Sequence, residues 1–433
     1  MPAPRRLPLL LVITLLALAF MLPSQPAHAL TYTVTTLADS GAGSLREAIT
    51  AANATVANDT ITFSVSVSGI IGLTSALPNL ANNGTLTING ARAITVTRNS
   101  VSPFRIFRVN SGANVTLNGL SITNGFASGD GGGIYNGGTL TVTDSTLSGN
   151  SATFFGGGGI YNGGTLTVTD STLSGNSVTF FDGGGIYNSG ILTVTNSTLS
   201  ANTADFGGGI LNNFGGTLMV TNSTLSGNTA GGAGGGIANL GGALTVTNST
   251  LSANTADFGG GIYNSGGTLT VPNSTLSGNT ATVNGGGISN GGGTLTVAGS
   301  YLFANAAVTG DGVYSANAGS VTNTCLVGNG DTAVINTNGT LTATGNWWGT
   351  SWGPNIPAAP ASTGSLVSSG DSIGGTGIAA SSVNVGIVNV PTDYGTYNVA
   401  PIGSWLTVAP AGCGTCTAPS GVGAPRVCII GRP

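Results

Sequence analysis

Lysine is absent from this 433-residue chain, histidine occurs once, and charged residues of both signs make up only 5% of it. All nine basic residues are arginine, and none lies between Arg108 and Arg426. The central body therefore offers no cation to a phosphate backbone or an anionic bilayer, which argues against nucleic acid as a partner. So little charge would suggest disorder in a polar chain, but 40% of the residues are hydrophobic and 75 are glycine, a composition suited to close backbone packing.

Long apolar runs are also missing after residue 29. Before it, Arg5 and Arg6 precede an apolar stretch from Leu9 to Leu22, Pro23 and Pro26 interrupt it, and Ala27-His28-Ala29 has the form of a cleavage site. Residues 1–29 thus read as a secretory signal peptide, with no membrane span after its removal. Processing would remove the only histidine and two of the nine arginines, leaving the thirteen acidic residues further in excess. Cysteine is sparse: Cys325, Cys413, Cys416 and Cys428 are the four. Export favours disulfides over a metal site, since Cys413 and Cys416 have no second such pair or histidine to complete a ligand set; Cys325 could instead be a buried thiol.

What is present is repetition. Gly131-Gly132-Gly133-Ile134-Tyr135-Asn136 recurs at 157–162, 183–188 and 259–264, with variants between and after. Its apolar anchors Ile134, Ile160, Ile186, Ile210, Ile237, Ile262, Ile288 and Val313 are spaced by 24 to 27 residues. A twelve-residue block, 139–150 and its six later copies, keeps constant length, while four to six residues before the triple glycine and two to four after Asn136 and its equivalents absorb the variation. These two places read as turns. Alternation in Thr139–Thr143 puts Leu140 and Val142 on a buried face and three threonines outside; Leu147 and Ile134 add two more inward positions. Four aliphatic side chains do not offset the ordering of some 25 residues, so a single turn cannot fold alone.

Stacking resolves this. The pattern predicts an all-β, right-handed parallel β-helix solenoid of about 25 residues per turn with three strands per turn. Columns of Asn150, Asp144, Asn136 and their equivalents would be left-handed turn residues bonding neighbouring backbone. Ser44 and Glu47 form a capping box for a short N-terminal capping helix, whose Leu45, Ala48, Ile49 and Ala52 would cover the first turn. The organisation expected is a signal peptide over 1–29, a cap and first strands over 30–83, the β-helix over 84–354, and a Pro/Gly/Ser-rich linker or small β module over 355–433, with strands near 382–390 and 394–408.

Residues 35–54, with Gly43-Ser44-Leu45-Arg46-Glu47-Ala48-Ile49, resemble the CSLREA-type N-terminal segment of bacterial surface proteins, with Gly43 in the position of its cysteine. The repeats resemble those of polymorphic outer membrane proteins, with Leu147 and its equivalents where that family has phenylalanine. Together the resemblances imply a pectate-lyase-like β-helix at the cell surface. Asn346-Trp347-Trp348-Gly349 looks like a closing turn, and no membrane barrel follows it.

β-Helices of this kind often cleave polysaccharides, but here lysine is absent and the body lacks arginine, which leaves only carboxylates as acid or base. Asp144 and Asp170 fall one turn apart, yet their column continues as asparagine and reads as a turn position; Asp130, Asp182, Asp205 and Asp257 read as turn caps or solvated loop residues. The chain is therefore not expected to be an enzyme. No cofactor is implied, and Gly129-Asp130-Gly131 lacks a calcium-repeat pattern. Tyr135, Tyr161, Tyr187 and Tyr263 share an outward column, and Phe154, Phe155, Phe180, Phe181, Phe206 and Phe258 occupy the adjoining loop. Such rings could stack on a sugar or a protein surface, or else stack on one another and fold back over the glycines. The expectation is an adhesin-like binding protein for a glycan or protein partner. A polysaccharide-degrading enzyme is the alternative, and an ice-binding threonine array a lesser one.

Overall fold

The computed structural model describes residues 28–346, apart from 82–83, 155, 214, 331–332, 339 and 345, together with three short strands, Ile373–Gly375, Thr415–Thr417 and Val427–Ile429. Residues 1–27 of the expected signal segment and the strands expected near 382–390 and 394–408 lie outside these residues, as do the tryptophans of the closing turn.

One parallel β-solenoid takes in the described residues up to 346 and the strand Ile373–Gly375, while Thr415–Thr417 and Val427–Ile429 form a separate antiparallel pair. Residues of the repeat lie on their own equivalents: Ile134 on Ile160, Leu140 on Leu166, Leu147 on Leu173. In the turn that begins at Ile134, the first ladder contributes Ile134–Asn136, the second Thr139–Thr143 and the third Thr146–Ser148. The ladders continue upstream without a break, since Thr31–Val34 pairs in parallel with Asp59–Phe63, and that strand with Thr85–Arg98.

The structure corrects the expectation of three strands per turn. The segment before the triple glycine, read as a turn, is a fourth parallel ladder of seven strands running from Phe126–Ala127 through Ser151–Ala152 to Thr280–Asn284. It tolerates four to six residues because its register slips at bulges, as between Ala204 and Phe206. Short length and variable spacing concealed it, because strands of two to five residues carry almost no periodicity.

The triple glycine is the counterpart of this ladder. Gly131 has φ of +67°, a left-handed conformation that disfavours a side chain. A Cβ on Gly132 would lie 2.1 Å from the Ser151 carbonyl oxygen, and one on Gly133 2.7 Å from that of Gly159. Two backbone walls meet there with no room for side chains.

Elsewhere the interior is filled by Ile134, Leu140, Val142, Leu147 and their copies, all essentially inaccessible to water. At the N-terminal end the helix Leu45–Ala52 buries Leu45, Ala48, Ile49 and Ala52 against the first turn. Ser44 caps it by accepting from the Glu47 amide at 3.2 Å, and the Glu47 carboxylate accepts from Gly43 N–H at 2.6 Å. The Arg46 guanidinium joins Asp39 to the carbonyl of Ser75, fastening the cap to the next turn. Cys325, on the third ladder, is buried and disulfide-bonded rather than a free thiol; the backbone of Cys416 pairs opposite that of Cys428.

The asparagine columns divide into two kinds. Asp144, Asp170, Asn196, Asn222, Asn248 and Asn273 are left-handed, with φ between 48° and 52°. Asn150 and its equivalents are not; the left-handed residue is the one before, glycine in most turns but Ala201, Ala253 and Ala304 in three. The Asn150 column is fully buried. Asn176 Nδ2 donates to Asn202 Oδ1 and to the Leu147 carbonyl, both at 3.0 Å, while its Oδ1 accepts from the amide N–H and Nδ2 of Asn150. Every amide hydrogen and lone pair is used. A second buried column links Asn136, Asn162, Asn188, Asn212, Asn239, Asn264 and Asn290 at 2.7 Å per step.

Two consequences are measurable by urea denaturation. Asn228→Ala strands the Leu199 carbonyl and the Asn202 amides, and should cost on the order of 2–5 kcal/mol. Ala253→Gly relieves a left-handed alanine and should stabilise by about 1 kcal/mol.

Candidate functional site

The four tyrosines occupy the outward position of the first ladder. Tyr135 and Tyr161 stack with ring centroids 5.0 Å apart, and Tyr161 and Tyr187 at 5.1 Å, with planes within 11°. The stack is closed at both ends. Arg108, one turn before Tyr135 in register, places its guanidinium 4.6 Å from that ring, and Tyr187 packs on Leu211 and Ala238. Tyr187 is only 9% exposed, and the Gly156 backbone lies against its ring.

The faces that would stack on a sugar are thus occupied by one another, and edges and hydroxyls are what the column presents. The Tyr187 hydroxyl accepts from Asn213 Nδ2 at 3.2 Å. Burial raises the pKa of Tyr161, Tyr187 and Tyr263 above the ordinary phenol value. Tyr263 stands apart, with Phe258 tilted against it at 6.3 Å.

Among the described phenylalanines of the adjoining loop none is buried over the triple glycines, although the Phe206 ring lies beside Gly232 of the next turn. Phe154, Phe180, Phe181, Phe206 and Phe258 are between 37% and 53% exposed, and Phe155 lies outside the described residues. They follow the strands of the fourth ladder: Phe154 and Phe180 each lie three residues after the paired Ser151 and Ser177, whereas the register shifts in the next turn so that Phe206 pairs with Asp182, and Ala233 stands between Phe206 and Phe258. Phe154 and Phe180 stack at 5.5 Å, and exposed Val283 and Val308 continue the apolar edge. With a rise of about 4.8 Å per turn, the edge from Phe154 to Val308 extends roughly 30 Å.

Carboxylates fringe the same edge. Asp182 and Asp205 sit on adjacent turns, joined through the bridge from Asp182 to Phe206 and the 2.9 Å bond from the Asp205 amide to the Phe181 carbonyl. Burial first, and then the charge of Asp205, pushes Asp182 up to about 6. Burial also raises Asp130, against the opposing effects of the Gly156 amide and Arg105. Asp257 accepts from the Thr282 hydroxyl, as a turn-fixing residue would. Asp144 is ion-paired to Arg92, and both Asp144 and Asp170 hold left-handed corner positions. The threonine face is in register but interrupted: Ile191, Met219, Ala243 and Pro272 stand where neighbouring turns have threonine.

One feature escaped the reading of the repeats because it precedes them. A cavity of about 320 Å³ opens beside Phe104 and Ser128, with Arg105 and Arg108 in its wall. The sequence signal was slight, two arginines three apart in the segment 104–109 that pairs with the first regular turn.

Residues 84–251 match a family described as the right handed beta helix region, in agreement with the hand expected from parallel crossovers. No curated protein sequence matches the chain.

Because the proton on Asp182 is held more tightly in the folded chain than in the unfolded one, the contribution of this group to stability is fully present below about pH 4 and is lost as pH rises to about 6. Asp182→Asn removes that loss. Its melting temperature should exceed that of the parent at pH 7 and match it near pH 4, as followed by circular dichroism.

Proposed function

We propose that this β-helix repeat protein is an exported, surface-displayed scaffold that binds a macromolecular partner in the manner of an adhesin, with the phenylalanine edge as its contact surface. The observation that carries this reading is the run of exposed rings along the fourth ladder, Phe154, Phe180, Phe181 and Phe206 on three successive turns and Phe258 two turns further on, past Ala233. An apolar strip of that extent is costly to leave in water and is typical of interaction sites. Phenylalanine lacks the hydroxyl that would help recognise a sugar, so the edge suits an apolar protein surface better than a glycan.

Export and surface display rest on the signal-like segment 1–29 and on the resemblances of residues 35–54 and of the repeats to bacterial surface proteins. Catalysis finds less support. Asp144 is engaged by Arg92, and the αL geometry of Asp144 and Asp170 is shared with the asparagines of their column.

A glycan array run beside a panel of host and bacterial surface proteins tests the proposal. Retention without product supports binding; shortened oligosaccharides would establish the polysaccharide-degrading alternative instead. Replacing Phe154, Phe180, Phe206 and Phe258 together by serine should abolish retention and lower the melting temperature little, since these rings lie outside the core.

A further inference from the structure

Five arginines lie among the described residues, and three are committed to partners inside the fold. Arg46 is ion-paired with Asp39, and Arg92 with Asp144. Arg98 donates to the Asn124 carbonyl at 3.0 Å and lies 5.5 Å over the Phe126 ring. Arg105 and Arg108 differ from Arg46 and Arg92 in lacking a carboxylate partner, and from Arg98 in sharing one ring. Neither forms an ion pair among the described residues, yet both guanidinium groups stand over the one ring of Tyr135, at 5.2 and 4.6 Å, so that two like charges are held side by side.

Arg105 donates through Nη2 to the Asp130 carbonyl at 2.8 Å, while its Nε is buried with no hydrogen-bond partner. Burial, together with the charge of Arg108, lowers its affinity for its own proton, and the Asp130 carboxylate offsets only part of that. These side chains wall the cavity of about 320 Å³, whose other surfaces include Leu77, Pro103, Phe104 and Ile106. The volume is at the small end of ligand sites and admits roughly one ring with its substituents.

We infer that this cavity is a binding site for a small organic carboxylate, held by Arg105 and Arg108 and with its ring or chain against Leu77, Pro103 and Phe104. An anion there relieves the repulsion between the guanidinium groups. A planar carboxylate matches the donor fork of arginine better than a spherical ion does. The remaining wall mixes apolar Leu77, Pro103 and Phe104 with the neutral polar groups of Asn79 and Ser128, so it suits an uncharged remainder of the ligand. The site adjoins the N-terminal end of the phenylalanine edge, since Ala127 in its wall pairs with Ala152, but none of the edge phenylalanines lines it and its occupancy does not depend on that edge having a partner.

Isothermal titration of the full chain at fixed ionic strength, with benzoate and glucuronate against benzyl alcohol and methyl glucoside, tests the assignment. The expected result is saturable one-to-one binding of at least one carboxylate, with its neutral analogue at least roughly tenfold weaker. The carboxylate that binds tells a flat ring ligand from a sugar acid. Arg105→Gln and Arg108→Gln should each weaken binding by roughly tenfold or more, and Asp130→Asn, which removes the nearest competing charge, should tighten it. Arg108 is exposed, so its variant should fold even if the Arg105 variant does not. Phe206→Ser should leave the titration unchanged. Failure of both carboxylates to saturate, equal binding of a neutral analogue, or unaltered binding by the folded Arg108→Gln protein would overturn the inference.

Discussion

Register is the constraint on which everything else in this molecule depends. Each residue of the repeat must rest on its own equivalent one turn away, and backbone hydrogen bonds between parallel strands enforce this in the first three ladders, as in the pairing of residues 139–143 with 165–169. A slip by one position would turn Leu140 and Val142 outward and bring three threonines into the core. The constant twelve-residue block follows from this requirement, because it runs from the second ladder through the third to the buried asparagine, and all three must stay aligned.

Apolar packing alone specifies such a register weakly, since isoleucine, leucine and valine columns resemble one another. The buried amides are far more selective. Asn202 can satisfy its donors and acceptors only if Asn176 and Asn228 stand directly below and above it, so that misalignment leaves several polar groups unpaired in a water-free interior. The triple glycines work in the same sense, because the wall they form against the fourth ladder closes only where no side chain intrudes. What varies from turn to turn is confined to the fourth ladder and the short connection after the first, and there the outward residues are free to be aromatic.

Much of this was legible in the repeats. Alternation within Thr139–Thr143 identified the inward leucine and valine, the capping box at Ser44 located the helix, and the spacing of Ile134 and its copies set the turn length. The fourth ladder was not legible, because its two-residue strands are held by neighbours in other turns rather than by any pattern of their own. Nor could the sequence distinguish an asparagine that occupies a left-handed corner, such as Asn196, from one buried in an amide chain, such as Asn202; the residue type serves both and only the surroundings decide. The aromatic residues divided for a related reason. Tyr161 follows a buried isoleucine in a regular ladder and is therefore stacked on its equivalents, whereas Phe180 lies where the ladder ends and projects into water. Arg105 and Arg108 went unremarked as a pair because only the fold brings both over Tyr135.

The asparagine columns also give the solenoid an electrical direction. From Asn150 to Asn305 each side-chain amide donates toward the next higher turn and accepts from the lower one, so their dipoles add along the axis as peptide dipoles add along a helix. The column through Asn136 points the same way. Oxygen atoms face the N-terminal end of both rows, which is therefore the electronegative pole. Arg92, Arg98, Arg105 and Arg108 stand at that pole, in the turns just before the first aligned amides. A repeat that carries little formal charge thus still has a field along its length, and each further turn would lengthen that dipole through a neutral amide in each column.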